Sequence, residues 1–420
     1  MIIQLAYGKK GLSISVPDHT TVIQPDYIPA LPDTAGAILT AIRNPISATP
    51  LRMSVVPGQK VGISVCDITR PMPSKTLIPI LLKELSHIPA RDITIFIATG
   101  THRPNNHEEI KSMLGSEVLE HGCQIINHNS FDKGNLTNIG TTSEGIPIYL
   151  NSAWLLTDFK ITTGFVEPHF FAGFSGGPKM IAPGLAGFET IMHLHNSDRI
   201  SNPKAIWGIT EGNPIHDAIR EISSISPANF SVEVTLNKDH EITSIFAGNQ
   251  SQSHRAASRF THKVAMQKVE KAFDVVVTTN SGYPLDINLY QAVKGMSAAS
   301  QIVRKGGSII CAAECSDGMP EHGSYKEILL SENSPEALLD LIEGSNYNQH
   351  DQWQVQIQAK ILMKSNVYLK SDYLSDHEVR QAHLVPIKNV EHTLQRLLQQ
   401  EENKTVCILP EGPQTIPYIA

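Results

Sequence analysis

Residues 61–100 read VGISVCDITRPMPSKTLIPILLKELSHIPARDITIFIATG. A short β-branched run (61–67) is followed by apolar residues at helical spacing (73–88) and by a second apolar run (92–100), which predicts a strand, a helix and a strand. Two consecutive apolar strands joined by a helix are the unit of a parallel sheet buried on both faces. Moving outward, CQIINHN (123–129) and DFKITTGF (158–165) continue the pattern. The expected architecture is α/β, in two lobes, each with an open, mostly parallel sheet flanked by helices and with the active site in the cleft between them.

The first thirty residues read as a hairpin with its turn at 8–11, IIQLAYGKKGLSISVP. Residues 251–271 read as a long polar helix bridging the lobes. A second α/β unit then follows: a strand over 273–282, a helix over 287–307 ended by glycine, and a strand over 308–318. Helices are predicted near 335–343, 349–363 and 389–402, with a last strand over 405–412. The domains expected are 1–270, a cofactor-binding N-terminal domain, and 271–420, a C-terminal domain whose tail can return to the first.

Composition narrows the function. A net charge of −7 over 420 residues lacks the basic footprint of a nucleic-acid or anionic-membrane binder. Neither a leader-like N-terminus nor an 18-residue apolar run is visible, so a cytoplasmic protein acting on a small molecule is expected. The five cysteines are scattered without a CxxC pair, which fits reduced thiols better than a zinc site.

Three polar clusters directly follow three predicted strands. They are Asp67-Ile68-Thr69-Arg70-Pro71, Gly100-Thr101-His102-Arg103-Pro104 and Gly164-Phe165-Val166-Glu167-Pro168-His169. Each alone also reads as capping and turn chemistry. In an open parallel sheet, however, loops at the carboxyl ends of strands converge on one crevice. Two imidazoles brought there, His102 and His169, form a candidate acid/base pair at neutral pH. Arg70 is a candidate fork for a substrate carboxylate.

The segment PHFFAGFSGGPKM (168–180) departs from both common phosphate loops, since Pro178 and Met180 flank Lys179 where a P-loop has Gly and Ser or Thr. Gly173, Gly176 and Gly177 still permit close approach of a phosphate or ring, and Lys179 offers an amine for phosphate binding or covalent attachment. Of His193 and His195, two residues apart in FETIMHLHN, at most one can face inward from a helix. In LYQAVKG, Tyr290 and Lys294 share a helical face, with Gln291 beside them.

These motifs, in this order and at these spacings, resemble the nickel-dependent lactate racemase family over essentially the whole chain. The resemblance implies a nickel pincer nucleotide, pyridinium-3,5-bisthiocarboxylic acid mononucleotide nickel, covalently linked at Lys179, with His195 as the protein's ligand to the metal. It implies that His102 and His169 are the acid/base pair. Asp67, Thr69, Gly176 and Gly177 would border the cofactor, and Arg70, Tyr290, Gln291 and Lys294 would hold substrate. The implied reaction is racemisation or epimerisation at C2 of a 2-hydroxy acid, lactate or a larger one, by reversible hydride transfer, with cofactor-synthesis proteins needed for maturation. Two alternatives stand beside it: a nickel or nucleotide carrier without turnover, and a hydrolase using Ser175, whose surroundings GFSGG fit the GxSxG spacing.

Overall fold

The computed structural model describes residues 1–321, 323–345, 347–400 and 403–419. The chain forms two compact units, one of Tyr27–His195 with Pro203–His262, the other of Met1–Asp26, Asn196–Asn202 and Lys263–Ala420. The division expected near residue 270 thus falls at 262/263. A larger correction concerns the first 26 residues, which belong with the C-terminal unit. The cause is packing: Leu5, Tyr7, Ile14 and Val16 share a buried cluster with Val275, Val277, Ile310 and Leu394.

The unit containing the quoted stretch is built on strands β1 (Val61–Cys66), β2 (Ile93–Ala98), β3 (Gln124–Asn127), β4 (Phe159–Phe165), β5 (Phe230–Leu236) and β6 (Ile242–Gly248). They lie in the order β6-β5-β4-β1-β2-β3, parallel throughout except for the antiparallel β5-β6 edge. Every residue of β1 is buried, as a strand covered on both faces requires. Helix α1 (Ser74–Glu84) crosses from β1 to β2 and buries Leu77, Ile78, Leu81 and Leu82 in one cluster with Ile63, Val65, Ile95 and Ile97.

The chain order places the functional loops. It runs β1, β2, β3 outward, then returns to the other side of β1 for β4, so strand order reverses between β1 and β4. That reversal is where the loops after parallel strands diverge and leave a crevice. The β1, β2 and β4 loops carry all three polar clusters. Helices α2 (His107–Leu114), α3 (Phe188–Leu194), α4 (Pro214–Ile225) and α5 (Gln250–Ala265) complete the elements around them.

In the other unit, six strands are parallel in the order Val385–Ile387, Asn366–Lys370, Val303–Ala312, Phe273–Thr279, Val406–Leu409, Thr21–Val22. The expected hairpin is present, Ile2–Leu5 against Leu12–Ser15. The helix predicted over 287–307 ends at Ser300, because Val303 already pairs with Phe273. The helix predicted over 251–271 ends at Ala265, and Met266–Val269 turns into a strand paired with Ile416–Ile419. The helix predicted over 389–402 is found as Val390–Gln399, with 401 and 402 outside the described residues. Among the described residues no helix is long and apolar enough to cross a membrane, and all five cysteines are free thiols.

Candidate functional site

Asp67 leaves the end of β1 almost fully buried, and its Oδ2 lies 2.6 Å from Nδ1 of His102, on the β2 loop. The Thr69 hydroxyl donates to Asp67 Oδ1 at 2.7 Å. Burial pushes the Asp67 pKa up, but the His102 hydrogen bond and charge, the nearby Arg70 charge and the Thr69 hydroxyl outweigh it and hold the carboxyl below its ordinary value. A carboxylate accepting from Nδ1–H fixes the tautomer in which Nε2 carries the lone pair and can accept a proton. The His102 loop is itself fastened: Arg103 grips Glu109 with both terminal nitrogens at 2.8 and 2.6 Å, and Asn106 and Glu109 form a capping box at the start of α2. Arg103 is therefore a structural member of its motif, and the partner of His102 is Asp67.

On the β4 loop, Pro168–His169 pairs with Gly173–Phe174 in a two-residue antiparallel ladder. This turn returns the chain so that Lys179 Nζ lies 3.4 Å from His169 Nε2. The Ala172 amide donates to His169 Nδ1 at 3.3 Å. In a neutral ring that bond leaves the proton on Nε2, whereas donation from Lys179 to Nε2 requires the opposite tautomer. Phe171 joins these groups: its ring centroid is 4.5 Å from that of His169, 5.1 Å from that of His195 and 5.7 Å from Lys179 Nζ.

His195 ends α3 as its cap residue, buried, with Nδ1 2.8 Å from the Ile191 carbonyl, whereas His193 is exposed. A proton held on Nδ1 by that carbonyl makes Nε2 the lone-pair nitrogen, which is the form a metal binds. Among the described residues no three His, Cys, Asp or Glu side chains gather into a metal-holding group.

Three further residues brace the glycine loop and were missed in the sequence. Glu233 on β5 accepts the Gly177 amide at 3.0 Å and the Ser231 hydroxyl, fully buried. His254 on α5 donates from Nε2 to the Ser175 carbonyl at 2.8 Å, and His216 on α4 reaches the Ala172 carbonyl from Nδ1 at 3.1 Å. Gly176 and Gly177 have φ of +74° and +53°, and added Cβ atoms would stand 2.6 Å from Glu233 Oε2 and 2.4 Å from His254 Cγ. Only the alternation of polar residues in FSVEVTL hinted at such a role, and alternation alone reads as a half-exposed strand.

Burial pushes the Glu233 carboxyl up to about 7 against its two donors, and pushes His254 down to about 4. The two therefore act oppositely on stability. Glu233 contributes most below pH 4.5, and that contribution is lost as pH rises through about 7; His254 contributes above pH 6.5 and loses it as pH falls through about 4. Over the shared window they offset one another. Removing the Glu233 titration by Glu233→Gln is expected to make stability rise more steeply with pH, by roughly 1.4 kcal/mol per pH unit between about pH 5 and 7. Urea melts with the same pH slope in both proteins would count against this assignment.

The hydroxyl of Ser175 is engaged by backbone, donating to Phe165 O at 2.7 Å and accepting from the Glu167 amide at 2.9 Å. Its environment is that of a turn brace. In the other unit, Tyr290, Gln291 and Lys294 lie on the helix Leu289–Ser300. Lys294 Nζ donates to Gln291 Oε1 at 2.6 Å, and the Tyr290 hydroxyl accepts from Trp353 Nε1 at 3.3 Å. Tyr290 and Lys294 thus engage different partners.

Residues 7–208 match the lactate racemase N-terminal domain and residues 268–416 the lactate racemase C-terminal domain. The chain is 33% identical to the lactate racemase of Thermoanaerobacterium thermosaccharolyticum, over 99% of this chain and 98% of that protein. The chain belongs to the lactate racemase family. A second lactate racemase, from Lactiplantibacillus plantarum, is also 33% identical, over 89% of this chain and 88% of its own. The structure of the lactate racemase apoprotein from T. thermosaccharolyticum superposes with a TM-score of 0.92 at 32% identity, over 99% of this chain and 100% of that one. A Thermotoga maritima protein of 18% identity shares the fold, with a TM-score of 0.71 over 92% of this chain and 98% of its own. The two-domain α/β architecture is thus that of the lactate racemase family.

Proposed function

We propose that this chain is a racemase or epimerase that inverts C2 of a 2-hydroxy carboxylic acid, lactate or a larger one, using a nickel pincer nucleotide linked at Lys179. The observation that carries the reading is the placement of two imidazoles: His102 anchored to the Asp67 carboxylate, and His169 3.4 Å from Lys179, the residue that would carry the cofactor. A carrier without turnover has no use for a carboxylate-anchored histidine. A hydrolase has no activated nucleophile in Ser175, whose hydroxyl donates to a backbone carbonyl.

The residues fit the cofactor. Lys179 supplies a primary amine on a braced loop, and His195 offers a nitrogen in metal-binding tautomer from a buried cap position. His195 would be the chain's ligand to the nickel and Lys179 its attachment point for the nucleotide. When bound, the cofactor supplies reversible hydride acceptance, so C2 becomes planar without a carbanion beside a carboxylate. Arg70 pairs with the substrate carboxylate and sets which face of C2 is presented. His102 Nε2 takes the hydroxyl proton of one configuration, its resulting charge stabilised by Asp67, and His169 Nε2 serves the mirror configuration. The buried Phe170 and Phe171 side chains limit water around His169.

The test is intact mass and metal analysis of protein made in cells that build the cofactor. An added mass on wild type, absent from Lys179→Ala, with nickel near one per chain and loss of optical purity in a 2-hydroxy acid, is the expected result. Full racemisation by Lys179→Ala would sink the tethered-cofactor reading.

A further inference from the structure

A cavity of about 850 Å³ opens between α4 and α5, floored by Phe174, Pro178, His216 and His254. Asp67, His102, His169, Lys179 and His195 do not line it, although Pro178 is the residue next to Lys179. Its volume is that of a small-molecule site. All of its lining residues fall within the unit of Tyr27–His195 and Pro203–His262.

Its charge is opposite to that of the chain. Arg220, Arg255 and Arg259 line the cavity of a protein whose net charge is −7. Arg255 and Arg259 stand one turn apart on α5, a like-charge spacing that weakens a helix unless an anion lies between. The carboxylate of Glu211 is shared by Arg220 at 2.9 Å and Arg255 at 3.4 Å, and Arg220 also pairs with Asp217, while Arg259 makes no ion pair among the described residues. One more feature points to a ligand. Asn249, Gln250 and Ser251, at the start of the 16-residue helix α5, line the same cavity and present the positive end of its dipole.

We propose that this cavity binds a phosphorylated small molecule of nucleotide size, its phosphate held by Arg220, Arg255 and Arg259. Guanidinium forks and a helix N-terminus are the donor set that phosphate oxygens accept from, and a cavity of about 850 Å³ accommodates a sugar and base beyond them. Glu211 is the resident competitor for two of the three guanidiniums. Occupancy would press on Pro178 and so on the loop that carries Lys179.

The experiment is calorimetric titration of the full cofactor-free chain with adenosine 5′-monophosphate, inorganic phosphate and adenosine. The monophosphate and phosphate are expected to bind, and adenosine at least tenfold more weakly. Arg255→Ala/Arg259→Ala should weaken the monophosphate at least tenfold, and Glu211→Gln should tighten it, a gain that damage to the fold cannot mimic. Binding of adenosine as tight as that of the monophosphate, no binding of any of the three, or affinity unmoved by both variants would overturn the proposal. Repeating the titration on chain carrying the Lys179 adduct separates two sources of the phosphate. Unchanged affinity assigns the site to a free phosphorylated ligand, and lost affinity assigns it to the phosphate of the tethered nucleotide. Because the first titrations use no cofactor, they stand even if the proposed racemisation fails.

Discussion

Glutamine in place of His102 or of His169 is expected to lower racemisation at least a hundredfold while the adduct mass at Lys179 stays. Glutamine keeps a polar group of similar reach but cannot exchange a proton near neutral pH. The equilibrium constant between two stereoisomers is a property of the solution, so kcat/KM must fall by the same factor in both directions whichever histidine is removed. The fingerprint is thus a symmetric loss. Asp67→Asn should reproduce most of the His102 effect, since an amide neither stabilises the imidazolium nor selects its tautomer. Measuring both directions by polarimetry decides the matter: rates within about threefold of wild type, or loss of the Lys179 mass in the histidine variants, would remove the two imidazoles from the acid/base role.

The second large effect is on folding. Gly177→Ala places a methyl 2.4 Å from Cγ and 2.5 Å from Cδ2 of His254, on a backbone with φ of +53°. His254 cannot retreat without giving up the Ser175 carbonyl. A clash against a hydrogen-bonded, fully buried ring and a left-handed backbone together should cost at least about 3 kcal/mol, a drop of roughly 6–12 °C in Tm for a unit of this size. Gly58→Ala is the control, with φ of +95° and nothing within 4 Å of its added Cβ. It isolates the backbone part, about 1 kcal/mol. Equal melting temperatures for the two variants would mean that the Gly177 turn is not braced as described.

Sequence reading reached furthest where one physical rule dominated. β1, β2 and β4 were legible as runs of β-branched and apolar residues, although β4 also buries Thr162 and Thr163, and the polar clusters lie where those strands end. Asp67 was noticed, but its pairing with His102 depends on β1 and β2 being hydrogen-bonded neighbours, which one sequence does not reveal. β5 escaped because Ser231, Glu233 and Thr235 are polar and yet buried, each serving a neighbour across the sheet or the glycine loop. Met266–Val269 escaped because its partner strand lies some 150 residues later, and the same separation hid the attachment of the first 26 residues.

That attachment has a consequence during synthesis. Among the described residues the strand Thr21–Val22 pairs in the sheet only with Val406–Leu409, so its partner is synthesised some 385 residues later. The unit of Tyr27–His195 and Pro203–His262 can close while translation continues, because all of its strands are then already made. The leading segment, with Ile3, Leu5, Ile14 and Val16 destined for a core not yet synthesised, travels as an unsatisfied apolar hairpin throughout. Until the C-terminal strands are made, that hairpin has no core to pack against and stays open to chaperones and to aggregation.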